Sequence, residues 1–168
     1  MCVILDTNRF SEALGKARDP RYVPLLEWVL SGRGLLVYGG TKYDTEIDGV
    51  QVARTFFAQR LRAGQAFLAS KADVDAEEAK IAAMPHDSDD EHILALARVT
   101  GARTVCTEDA DLMSDFKNTK LVPPPRGRVY RAAAHCALLQ HDACCQRPPP
   151  TRKRAGHSKA TKKAKKRR

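Results

Sequence analysis

The chain alternates short apolar runs with longer stretches whose apolar residues recur every three or four positions. Cys2–Leu5 is four apolar residues in a row, ended abruptly by Asp6, and reads as a short buried strand. Thr7 or Asn8 is placed to cap a helix running through Leu14, with Gly15 as its stop. Asp19-Pro20 opens a second helix, in which Tyr22, Val23, Leu25, Leu26, Val29 and Leu30 share a face and which Gly32 ends. Leu35–Tyr38 is another apolar run, closed by Gly39-Gly40, and so a strand followed by a tight turn. Thr41 begins a helical stretch carrying Glu46, Gly49 interrupts it, and residues 50–62 continue with Val52, Phe56, Phe57 and Leu61 on one face.

Further along, residues 66–69 predict a short strand and 74–84 a helix that Pro85 ends. Ser88, with Glu91 three residues later, has the spacing of a capping box for a helix over 92–100, which Gly101 terminates. Residues 103–106 are a strand, a short helix reaches Phe116, Val129-Tyr130 adds an edge strand, and 132–145 reads as a last helix. Strands alternate with helices from end to end. That pattern predicts an α/β fold: a central, mostly parallel sheet flanked by helices in three layers. Ligands of such sheets bind beyond the carboxyl ends of the strands. Asp6 and Asp109 both stand there, each just after a strand.

The charge divides the chain. Of 29 Lys and Arg residues, 11 lie in 147–168, a segment without Asp or Glu, so residues 1–146 carry 18 basic against 20 acidic residues, a net of −2. We expect one domain over 1–146 and a disordered basic tail over 147–168, set off by Pro148-Pro149-Pro150. Lys162, Lys163, Lys165, Lys166, Arg167 and Arg168 make the tail a candidate for holding nucleic-acid phosphates by counterion release. Five cysteines, an odd number with two adjacent, argue against a disulfide framework and for a reducing cytoplasm. The apolar run before Asp6 is too short for a secretory signal, and no window approaches the ~20 apolar residues of a membrane span.

The acidic body concentrates attention on its carboxylates. Mg²⁺ and Mn²⁺ prefer carboxylate oxygen and water, and can neutralise a phosphate while activating a water molecule. Carboxylates gathered without neighbouring Lys or Arg therefore suggest a cation site. Each acid also has a plainer reading. Asp6 and Asp109 could cap the helices that follow them, Asp89 or Asp90 suits the first turn of a helix, and Glu46 could lie on a solvated face with Asp44 and Asp48. The phase of each helix decides which of Asp44, Glu46 and Asp48, and which of Asp89 and Asp90, turns toward the rim.

The ordered series Ile4-Leu5-Asp6-Thr7-Asn8, Tyr38-Gly39-Gly40-Thr41-Lys42 leading to Glu46, Ser88-Asp89-Asp90-Glu91-His92-Ile93-Leu94-Ala95-Leu96-Ala97 and Val105-Cys106-Thr107-Glu108-Asp109-Ala110-Asp111-Leu112 resembles a PIN domain, a family that includes VapC-type toxin ribonucleases. The resemblance covers roughly residues 1–130. It implies a parallel sheet between helices and a Mg²⁺- or Mn²⁺-dependent endoribonuclease site. Carried over position by position, Asp6, Glu46, Asp90 and Asp109 match the family's acidic quartet, and Asp111 matches a further acid found in many members. Thr7, Asn8 and Thr107 match polar neighbours that hold ligands or water. RNA as substrate, an antitoxin covering the acidic rim and a homodimer are implied in the same way.

Other chemistries are disfavoured. A strand-end Asp could be the nucleophile of a haloacid-dehalogenase-type phosphotransferase, but that chemistry needs a second Asp two residues on, where this chain has Asn8. Gly32-Arg33-Gly34 is too short for a phosphate-binding loop and lacks its Lys-Ser/Thr ending. His135, Cys136, His141, Cys144 and Cys145 match no common zinc spacing. A non-catalytic RNA- or protein-binding module is the competing reading of the whole chain.

Overall fold

In a computed structural model, residues 2–140 are described. The basic segment 147–168, the boundary at 146, His141, Cys144 and Cys145 lie outside them. Five strands, β1 (Cys2–Leu5), β2 (Leu35–Tyr38), β3 (Ala66–Leu68), β4 (Thr104–Cys106) and β5 (Arg128–Tyr130), form one sheet in the order β3-β2-β1-β4-β5. Every pairing is parallel, with Cys2 opposite Leu35, Leu36 opposite Ala66, Ile4 opposite Val105 and Val105 opposite Val129. The expected α/β sheet flanked by helices is borne out. All four residues of β1 are fully buried, as the central strand of a sheet covered on both faces requires.

The helices are α1 (Phe10–Leu14), α2 (Val23–Leu30), α3 (Thr41–Gly49), α4 (Gln51–Arg62), α5 (Lys71–Ala82), α6 (Glu91–Thr100) and α7 (Ala110–Lys117). Phe10, Tyr43 and Phe57, from α1, α3 and α4, meet ring to ring with centroids 5.5–6.2 Å apart. Gly39 and Gly40 have φ of 138° and 92°, and a Cβ on Gly40 would lie 2.6 Å from Val74 Cγ1. Glycine is thus needed where β2 turns into α3 close against α5. No helix among the described residues is long and apolar enough to cross a membrane.

Several local expectations are corrected. Asp6, not Thr7 or Asn8, caps the turn after β1, accepting from the Asn8 backbone N–H, and the helix splits into a 3₁₀ turn (Thr7–Arg9) followed by α1. The second helix likewise opens as a 3₁₀ turn (Pro20–Tyr22) capped by Asp19. α5 starts at Lys71 rather than 74, because Ser70 Oγ accepts from Asp73 N–H at its N-terminus. Ser88 forms no capping box: its Oγ accepts from the Asp90 N–H at 3.1 Å, while α6 runs Glu91–Thr100, one residue longer than expected. The last helix is a 3₁₀ segment over Ala133–Gln140 as far as it is described. Cys106 and Cys136 are free thiols, and Cys2 is disulfide-bonded.

Candidate functional site

The strand order reverses at β1. Two strands run out from it on one side and two on the other, so the crevice between the carboxyl ends of β1 and β4 is the topological switch point, where α/β sheets bind ligands. Asp6 leaves β1 at this point with its own N–H still bonded to Cys106 O at 3.0 Å. The register of the two central strands therefore places its carboxylate against the β4–α7 loop. It is 1 % exposed. Oδ1 accepts from the Asn8 N–H at 2.9 Å, and Oδ2 accepts from the Thr107 hydroxyl at 2.6 Å.

Thr107 links two acids. The same hydroxyl that donates to Asp6 accepts from the Asp109 N–H at 3.0 Å. Asp109 in turn caps α7, its Oδ1 taking the Leu112 N–H at 2.7 Å. It is exposed, as is Asp111 on the first turn of α7, which enters none of these contacts. Burial pushes the Asp6 carboxyl above its ordinary range and the charge of Asp109 adds to this, against the opposing effects of Thr107, Asn8 and Arg9.

Asp90 arrives from the other side. It is the buried residue just before α6, while Asp89 is exposed and presents its carbonyl to Lys42 Nζ at 2.6 Å. The loop carrying Asp90 is anchored by Asp115 of α7, a buried carboxylate whose Oδ2 accepts from the N–H groups of Asp87 and Ser88 at 2.9 and 2.8 Å. Asp90 is pushed up to about 6, first by burial and then by the charges of Asp6 and Asp89, with His92 and Lys42 acting the other way. Lys42 is thus a cation of the site that comes from a distant part of the chain.

Of the three acids on α3, Glu46 turns toward this group. Burial opposes its ionisation, but His92, Thr7 and Lys42 outweigh burial and hold the carboxyl below its ordinary value. Asp44 answers instead to Lys71, Asp48 and Asp75, and Asp48 is exposed. His92 Nε2 lies 3.3 Å from Glu46 Oε2 and its Nδ1 lies 3.9 Å from Asp90 Oδ1. These are ion-pair distances without the alignment of a hydrogen bond, since both ring nitrogens and Glu46 Oε2 are buried and have no hydrogen-bond partner.

Asp6, Asp90, Asp109 and Glu46 thus converge electrostatically on one rim from four separate segments. Their oxygens suit a hard divalent cation, and an orphaned carboxylate oxygen with two carboxyls pushed toward protonation is the state that a cation would relieve. Among the described residues, however, no three His, Cys, Asp or Glu side chains are gathered closely enough to hold a metal ion between them. The chemistry of the donors fits the ion, while their spacing does not gather them around one point. Asp115 and His92 are the polar residues of the site that sequence reading did not single out. His92 had one available signal, a polar residue within the otherwise apolar run His92-Ile93-Leu94-Ala95-Leu96-Ala97.

No family model matches the sequence and no curated protein matches it. Among solved structures, the chain is similar to the crystal structure of FitAcB from Neisseria gonorrhoeae, at 21 % identity and a TM-score of 0.39, over 65 % of this chain and 88 % of that one. At that score the likeness carries no argument about activity.

Proposed function

We propose that the protein is a PIN-like, Mg²⁺- or Mn²⁺-dependent endoribonuclease that hydrolyses phosphodiester bonds in single-stranded RNA. The observation that carries this reading is the pair of buried carboxyls at the switch point of a parallel sheet, Asp6 and Asp90, both raised first by burial, with the charge of Asp6 adding to the rise of Asp90. The order of the acidic motifs along the chain supports it. Asp6, Asp90 and Asp109 would hold the ion, with Asp111 beside them. When bound, the ion would supply charge neutralisation on the phosphate and a more acidic water. Thr107 keeps the Asp6 carboxylate in one orientation through its 2.6 Å hydrogen bond, and Asn8 fixes the other oxygen. Glu46, held ionised by His92, Thr7 and Lys42, is a weak base but a dependable acceptor, suited to orienting the attacking water.

The test is incubation of a mixed RNA pool with and without Mg²⁺ or Mn²⁺. Cleavage should require the ion and should be lost in Asp6→Asn and Asp109→Asn. Variants that cut as well as the wild type would overturn the site. The basic residues Lys162, Lys163, Lys165, Lys166, Arg167 and Arg168 would hold the RNA without sequence preference, so deleting 147–168 should weaken binding and flatten its salt dependence. A toxin role, with an antitoxin over the acidic rim and a homodimer, belongs to the same reading. Its checks are a small reading frame upstream and the mass of the protein in solution.

One observation favours a second reading, a non-catalytic RNA- or protein-binding module. Asp109 is exposed and already occupied in capping α7, and the acids do not close around one point. A titration that finds no Mn²⁺ binding, with RNA binding that disappears on deleting 147–168, would decide for the module.

A further inference from the structure

We propose that His92 is a positioning residue: its imidazole, seated between α3 and α6, holds Glu46 and Asp90 at a fixed separation on the acidic rim. This rests on the nuclease reading of that rim. His92 is on the first turn of α6 and is fully buried. Its five successors, Ile93 to Ala97, are buried too, but they are apolar and their burial needs only packing. A buried ring whose nitrogens make no well-aligned hydrogen bond gives up hydration that packing alone would not ask of it, since an apolar side chain would fill the same space. What the ring faces instead is charge from separate segments: Glu46 of α3 at 3.3 Å from Nε2 and Asp90, just before α6, at 3.9 Å from Nδ1, with Glu78 of α5 also within electrostatic reach.

The ring is itself held in place. It packs against Tyr43 with centroids 6.1 Å apart, and Tyr43, one helical turn before Glu46 and on the same face, donates its hydroxyl proton to Leu5 O. Leu5 is the residue before Asp6. α3 is thereby tied to the end of β1 through Tyr43 and set against α6 through Glu46 and His92. With the ring nitrogens removed, Glu46 and Asp90 would lose the polar edges that face them, and each could swing toward solvent or toward the other.

The experiment uses the full chain and the variants His92→Gln, His92→Asn and His92→Phe, each with and without Glu46→Gln. A Gln amide can stand in for Nε2 toward Glu46, and an Asn amide for Nδ1 toward Asp90. RNA cleavage with Mn²⁺ is resolved into kcat and KM, and thermal midpoints are recorded with chelator. His92→Phe should fold but lose about 10²-fold in kcat with KM for RNA unchanged, the loss typical of a displaced group. His92→Gln should recover most of that loss, and Glu46→Gln should cost little further in the His92→Phe background. Wild-type kcat in His92→Phe, or a Glu46→Gln effect undiminished in that background, overturns the proposal. If the wild-type chain cleaves no RNA, the nuclease reading has failed, and the midpoints decide alone: non-additive shifts for His92→Phe and Glu46→Gln keep the positioning role, and additive shifts overturn it.

Discussion

Two groups of charges sit side by side beyond the carboxyl ends of β1 and β4, and they are built on opposite plans. In one, Arg9 reaches Glu12 and Glu108 at 3.2 Å, and Arg21 reaches Asp19 at 2.6 Å, Glu12 at 3.7 Å and Glu108. Its members are partly exposed and every carboxylate has a guanidinium. In the other, Asp6 and Asp90 are buried and repel one another; Arg9, the guanidinium acting on Asp6, is already engaged with Glu12 and Glu108, and Lys42, the ammonium acting on Asp90, donates to the Asp89 carbonyl and pairs with neither. The first network balances its charge from within. The second leaves a deficit of positive charge at the one place where the sheet topology favours a ligand. The contrast argues that the buried group is arranged for something supplied from outside.

The largest expected effect tests that contrast directly. Asp6→Asn preserves size and keeps an oxygen for the Thr107 hydroxyl, so the fold should survive, while RNA cleavage falls by about 10²–10³-fold, the usual loss on removing one group that stabilises transition-state charge. Cleavage rates for the purified variant with Mn²⁺ provide the check. An unimpaired variant would make the buried group as incidental to chemistry as the arginine network.

Asp115 supplies the next test, because it is a buried carboxylate that is satisfied. It accepts two backbone N–H groups from the loop before Asp90 and has no need of a cation. Asp115→Ala leaves the Ser88 donor buried without a partner and releases that of the exposed Asp87, and should cost about 2 kcal/mol, measured by denaturant unfolding. The same variant should loosen Asp90 and lower cleavage. A loss of stability below about 1 kcal/mol would mean that the loop is held by other contacts.

Much of this arrangement was legible in the chain before folding. β1, β2 and β4 announce themselves as short apolar runs closed by Asp6, by Gly39-Gly40 and by Thr107, since strands buried on both faces have no polar alternation to disguise them. The rim position of Asp6 and Asp109 follows from those strand ends. Less visible were features that depend on how distant segments meet. Ser88 and Glu91 have capping-box spacing, yet Asp90 adopts φ −100° and ψ 42°, outside the helix, and the Ser88 hydroxyl serves its N–H instead. Asp115 lies on a short amphipathic helix where an acid reads as solvated, and only the β4–α7 path brings it under the 87–88 loop. His92 is one polar residue in an apolar run, and its closer acidic partner, Glu46, lies 46 residues earlier in the chain.

A smaller effect concerns acid and base, and its sign follows from Asp90. Its carboxyl is raised from 3.8 to about 6 in the folded protein, so between those values the folded state binds more protons than the unfolded state. Stability is therefore greatest below pH 3.8 for this group and declines as pH rises through about 6. Discounted for residual solvent contact, the rise of the Asp90 carboxyl corresponds to on the order of 2 kcal/mol. Unfolding with chelator present at pH 4 and pH 7.5 should show this decline, and Asp90→Asn should remove it and be the more stable at pH 7.5. Mn²⁺ should reverse the decline in the wild type. A wild type whose stability rises across this window would place Asp90 among the compensated carboxylates.

The smallest effect belongs to the arginine network. Glu12 contacts Arg9, Arg21 and the Tyr22 hydroxyl, but its side chain is 41 % exposed, so water screens each of those contacts. Glu12→Gln keeps the shape and the acceptor for Tyr22 and should cost no more than about 1 kcal/mol, the range of surface ion pairs. The difference should shrink as salt shortens the reach of exposed charges. RNA cleavage should be unchanged, because Arg9 keeps its contact with Glu108 and Glu12 is not among the groups acting on Asp6 or Asp90. Denaturant midpoints at low and high salt, alongside cleavage rates, measure both. A salt-independent loss, or cleavage reduced as in Asp6→Asn, would mean that the two groups act as one electrostatic unit, and the cation would then have to be sought on the side of Arg9 and Arg21.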